Sequence, residues 1–346
     1  MPSLAEPRPG TGRRTDLPRS VGPWTERLFG ALRLNPGTEV AWGDLSLPDD
    51  VIADLDLQLA LYVCYELHYA GFDGVDERWE WAPGLLGFRA EIEAAFERAV
   101  DEVTAPNDPT ELDAVGESLQ AIVAEDDGPP LSRYLETAGT REQMLEHVVH
   151  RSPYQLKEAD PHSWAIPRLT PAPKAALLEV QFDEYGGGRA DRMHSVLFAK
   201  TMTALGLDDT YGAYVELVPG VTLATVNLLS GFGLHRRRRG ALVGHLAAFE
   251  MTSSVPNRRY GNAMRRLGYD KTVTDFYDEH VEADAVHEAI AAWDLAGGLA
   301  RDEPDLAGDI LFGARALLAL EGRWAEHLLG CWEAGTTSLR RSLDQA

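Results

Sequence analysis

His280, Asp284 and His287 fall within the string HVEADAVH. At about 100° per residue, the three side chains share an arc of about 60° on one helical face. Two imidazoles and a carboxylate on one stripe suit a cation. The small or apolar Ala283, Ala285 and Val286 between them suit a buried helix. A buried polar stripe without partners is costly, and a metal ion would satisfy it. A solvated or hydrogen-bonded face is the plain alternative, since Asp278, Glu279, Glu282 and Glu288 stand nearby.

Two other segments supply similar chemistry. Glu250 follows the apolar run GALVGHLAAF, where a carboxylate needs a counter-charge or a proton. His245, five residues earlier, points elsewhere and reads as a core or supporting histidine. In DEYGGGRADRMH, Glu184 and His194 would lie about 80° apart on an unbroken helix. Gly186, Gly187 and Gly188 each cost about 1 kcal/mol inside a helix, so a break is expected there that lets Glu184 and His194 converge. A glycine-rich hairpin with Glu184 exposed is the alternative. Neither GxxxxGK[ST] nor a strand–GxGxxG–helix context is present, so this is no phosphate loop. Three carboxylates and three imidazoles from three segments suit iron or manganese better than zinc or magnesium.

The elements that must position these residues read as helices, giving an all-α protein. Asp49 or Asp50 is expected to cap a helix through VIADLDLQLALYVCYELHYAG, ending at Gly71. Amphipathic runs follow in GLLGFRAEIEAAFERAVDEV and PTELDAVGESLQAIVAE. The acidic, proline-bearing EDDGPP at 125–130 is the best boundary. The expected organisation is a flexible tail over 1–20, an N-terminal helical region over 21–128 and a helical bundle over 129–346. WEWAP, with Trp79 and Trp81, reads as a packing anchor or a dimer contact, and a homodimer is expected.

Several other side chains are conspicuous. HRRRRG from His235 is expected to form internal salt bridges. Glu66 and His68, two residues apart, face different sides of their helix and read as surface or interface positions. His147, His150 and His162 precede the core, with His162 a capping or supporting residue. Tyr185 and Tyr277 read first as core packing and second as pocket lining.

Composition narrows the function classes. The 346 residues are 45% apolar and 25% charged, with 55 acidic against 32 basic side chains and a formal charge of −23. That field repels phosphate backbones, so nucleic acid is not the expected partner. No run of about 18 apolar residues appears, so no membrane span is expected. MPSLAEPRPGTGRRTDLPRS lacks the apolar stretch of a signal peptide. Cys64 and Cys331 are the only cysteines and read as reduced, in keeping with a cytoplasmic protein.

The set Glu184-x9-His194, Glu250 and His280-x3-Asp284-x2-His287 resembles the haem-oxygenase-like diiron oxidases, also called iron-containing redox enzymes. It is most similar to their N-oxygenase branch, over about residues 130 to 346. The resemblance implies a haem-oxygenase-like bundle holding two ferrous ions. It also implies O2 as co-substrate, an external reductant, and oxygenation of a nitrogen on a small amine, guanidine or amino-acid-like metabolite. Glu158, in YQLKEADPHSWAIP, falls where that branch can place an additional carboxylate; a surface salt bridge with Lys157 or Arg151 is the alternative. Glu250 is expected to bridge, Glu184 and His194 to serve mainly one iron, and the His280 stripe the other or both. Ending at Ala346, the chain is expected to lack the cupin domain that some N-oxygenases carry. Oxidative C–C cleavage or desaturation of a fatty or amino acid, and non-catalytic iron binding, are the other readings. Haem oxygenase chemistry would use one histidine and leave the other five ligands unexplained.

Overall fold

The computed structural model describes residues 15–43, 45–108 and 114–345, without the side chains of residues 283–286 and 345. Among these, the protein is mostly helical, as expected. The one pairing of strands joins Thr15–Asp16 to Phe72–Asp73 in parallel. No described helix is long and apolar enough to cross a membrane. Residues 1–14 of the expected tail lie outside the described residues. Residues 15–20 are docked, through that pairing and through Arg19 N donating to Glu216 at 2.7 Å.

The N-terminal helices are α1 (Pro23–Leu32), α2 (Leu55–Glu66), α3 (Pro83–Val103) and α4 (Val115–Ala124). Asp54, rather than Asp49 or Asp50, caps α2 by accepting from Leu57 N at 2.8 Å. Asp50 instead closes the turn before it, accepting from Ile52 N and Ala53 N. Asp56, in the first turn of α2, accepts from Trp24 N and Thr25 N and so ties α2 to the start of α1. From Leu57 to Glu66 every residue of α2 is buried. A helix enclosed on all sides shows no amphipathic stripe.

After 128 come α5 (Leu131–Thr137), α6 (Arg141–Gln155), the single turn α7 (Asp160–Ser163), α8 (Pro171–Glu184) and α9 (His194–Ala204). They are followed by α10 (Gly220–Leu234), α11 (Arg239–Arg266), α12 (Lys271–Ala289), α13 (Gly297–Asp302) and α14 (Ala307–Glu333). A π-helical stretch, Ile290–Ala296, continues α12 into α13. Small residues bring α11 and α14 together: a Cβ on Gly244 would stand 1.7 Å from the Ile310 carbonyl, and one on Gly313 would stand 2.0 Å from that of Ala241. One hydrophobic core runs from Trp24 and α2 through α10, α11 and α14 to Leu339, so the N-terminal helices and the bundle share it. The basic run is tied internally, Arg237 to Glu97, Arg238 to Asp309 and Arg239 to Glu303. Trp79 is buried, whereas Trp81 is 64% exposed. Both cysteines are free thiols.

Candidate metal centre

Five elements converge on one buried spot. Glu184 ends α8, and the three glycines break the helix after it: Gly186, Gly187 and Gly188 all have positive φ, at 73°, 61° and 79°. That conformation suits residues without a Cβ. At Gly186 a Cβ would also lie 2.6 Å from Met193 N. The reversal sets His194 at the start of α9, its Nδ1 2.9 Å from Glu184 Oε2. Glu250 projects from α11, Glu158 from the turn after α6, and His280 and His287 from α12.

The donor atoms form two groups. In one, Glu158, Glu184, His194 and His280 each offer an atom within 4.8 Å of the others; in the second, Glu184, Glu250 and His287 do so. All six side chains are buried. Glu184 is the carboxylate common to both groups, while Glu250, expected to bridge, belongs to the second. Glu184 lies at the helix break between the groups, and Glu250 stands with Glu184 and His287, its Oε2 3.5 Å from His287 Nδ1. The backbone of Asp284 lies on α12 between the two histidines, but its side chain is outside the described residues.

Supporting contacts orient the rings. His280 Nδ1 donates to the Phe276 carbonyl at 2.8 Å, which leaves Nε2 facing Glu158 at 3.4 Å. His287 Nε2 lies 3.1 Å from Asp183 Oδ2, so its Nδ1 is the nitrogen turned towards Glu250. A carboxylate or carbonyl on the outer nitrogen is the usual way of fixing an imidazole for a metal. With its amide turned to satisfy both groups, Gln155 donates to both Glu158 oxygens, at 2.6 and 3.1 Å. His162 and His245 touch through Nε2 and Nδ1 at 3.4 Å. Burial holds His162 well below the usual histidine range and pushes His245 down to about 3, so both are neutral.

The electrostatics suit a cation. Burial raises the carboxyls of Glu158, Glu184 and Glu250, and nearby imidazoles only partly offset it. The cavity among them is lined by Tyr154, His162, Gln181 and Phe249 besides the donors, and no lysine or arginine is in its wall. Burial alone would lower His287, but its hydrogen bond to Glu250 and the charge there carry it up to about 9. The Glu250–His287 pair therefore holds a proton that a metal would displace. A mixed carboxylate–imidazole set fits iron or manganese. A second cavity, of about 200 Å³, adjoins this one; Phe249 and Ser253 line both.

The other sequence expectations fare unevenly. Glu66 is buried, not superficial, and pairs with Lys157 at 3.0 Å. His68 is enclosed between Glu80 and Arg89. Arg151 pairs with Glu321, so neither cation engages Glu158. His150 is hydrogen-bonded between Thr222 and Ser338, away from the donors. Tyr185 donates to Asp160 at 2.7 Å, and Tyr277 is core. Asp183, Gln155 and Gln181 were not foreseen; only the adjacency of Asp183 to Glu184 could have signalled one of them.

Comparison with known proteins agrees with this geometry. A nitrosourea synthase of Streptomyces achromogenes subsp. streptozoticus is 25% identical over 253 residues, covering 69% of this chain and 54% of the relative. The chain thus spans about half the length of that relative. Residues 145–322, just over half of the chain and including both donor groups, match the family described as iron-containing redox enzyme. By that match the chain belongs to the haem-oxygenase-like iron-containing redox enzymes.

Proposed function

We propose that this protein is a non-haem diiron oxygenase that uses O2 to oxygenate a nitrogen of a small amine, guanidine or amino-acid-like metabolite. The observation that carries the reading is the pair of buried donor groups sharing Glu184. When bound, two ferrous ions would supply electrons for O2 reduction, and an external reductant would restore them. The chain's residues do the rest. The six donors would hold the ions, joined by Asp284 as the sequence leads us to expect. Phe276, Gln155 and Asp183 orient the ligands. The neutral His162–His245 pair adds no positive charge to the cavity wall.

The adjoining cavity is the proposed substrate chamber. Its wall offers the faces of Phe249, Tyr260 and Trp324 and the Arg151–Glu321 pair, a mixture that suits a small polar metabolite. Because Phe249 and Ser253 border both spaces, a substrate there would lie next to the donors. The name of the related nitrosourea synthase favours a nitrogen as the reacting atom. The test is to supply iron-loaded protein with reductant, O2 and a panel of amines, guanidines and amino acids. Substrate-dependent O2 uptake with a hydroxylamine, nitroso or nitro product is the expected result. An alkene or shortened chain would move the reading to C–C cleavage or desaturation, and iron oxidation without substrate-dependent O2 uptake would reduce it to iron binding.

A further inference from the structure

The ion pair of Glu66 and Lys157 is almost wholly enclosed, at 1% and 4% exposure, yet neither residue belongs to a donor group. Glu66 ends α2, in the N-terminal region; Lys157 immediately precedes Glu158. Two buried charges persist only with good geometry and further partners. Both conditions are met. The carboxylate accepts from Tyr211 Oη at 2.8 Å and from Ala70 N at 3.2 Å, and the ammonium lies over the rings of Tyr69 and Tyr62, at 4.3 and 5.1 Å.

The residues beyond Lys157 are pinned as well. Ala159 has φ +73°, the one positive φ outside glycine among the described residues. An alanine keeps that conformation only where its surroundings impose it. Its carbonyl accepts from Gln181 Nε2 at 2.9 Å, and the Asp160 carboxylate accepts from Tyr185 at 2.7 Å. Glu158 stands between the fixed Lys157 and the fixed Ala159, its carboxylate turned into the metal cavity.

We infer that Glu66 and Lys157 form a clamp through which the N-terminal region positions a metal ligand. Held by α2, the turn 157–160 keeps its left-handed residue and presents Glu158 to the Glu184–His194–His280 group. Both are positioning residues, acting through Glu158. The inference rests on the two-metal reading above.

The double variant Glu66→Gln, Lys157→Met tests it, because removing both charges strands neither. Anaerobic Fe(II) uptake, thermal unfolding of the metal-free protein and amide exchange over 155–163 are compared with wild type and with Glu158→Ala. The clamp predicts an unchanged unfolding midpoint, exchange at least about tenfold faster over 157–160, and one metal bound about tenfold more weakly, approaching Glu158→Ala, with the other metal unaffected. A folded double variant that matches wild type in both exchange and metal affinity overturns the clamp. Wild type that takes up no iron overturns the two-metal reading, and the clamp with it. Should the double variant not fold, Tyr211→Phe removes only the hydroxyl on Glu66; it should weaken the same metal by a smaller factor, and wild-type affinity there would equally overturn the inference.

Discussion

The two donor groups are built differently. The Glu158–Glu184–His194–His280 group has four described donors, and His280 is oriented by a buried backbone carbonyl. The Glu184–Glu250–His287 group has three, and His287 is oriented by Asp183, whose side chain is half exposed. The first draws its donors from the turn after α6, the end of α8, the start of α9 and the middle of α12. The second sits where α12 gives way to a π-helical stretch, a form found often at functional sites. The contrast predicts that a metal in the first position would exchange more slowly than one in the second. Two bound metals should therefore load in order.

The largest expected effect comes from the residue common to both. Glu184→Ala should lose stable binding of both metals, measured by iron content after gel filtration; retention of one at wild-type affinity would show that the groups are independent. Next, His280→Ala and Glu250→Ala should each leave one metal, and the one surviving in Glu250→Ala should be the tighter. Asp183→Asn leaves every donor in place but loosens the His287 ring, so the weaker metal should bind about tenfold less tightly and the other no less.

Acidity separates the groups more gently. A carboxyl or imidazole whose folded pKa is raised stays protonated further up the pH scale, and a metal must displace that proton. Affinity therefore rises with pH at both positions. The proton on the Glu250–His287 pair, with His287 held up to about 9, keeps the second position pH-dependent across neutrality. Mn(II) titrations between pH 6 and 8 should show its affinity rising by up to about tenfold per pH unit, more steeply than the first. Parallel slopes would remove that distinction.

Much of this centre could be read from the chain because its chemistry lies in local strings. Three glycines in a row announced the break that joins Glu184 to His194, and a carboxylate inside an apolar run announced Glu250. Glu158 gave no such signal, since it stands in an irregular turn where periodicity is silent, and only the family resemblance pointed to it. Glu66, expected at a surface or interface, is buried for a physical reason: α2 is enclosed on every side, so its pattern cannot tell an inward carboxylate from an outward one. Asp183 escaped notice because its partner lies 104 residues away.

The claim that the two groups make one dinuclear site is tested most directly by anaerobic Fe(II) titration of the wild-type protein. Two irons per chain, bound in two resolvable steps, are predicted. A plateau at a single iron, or none, would contradict it.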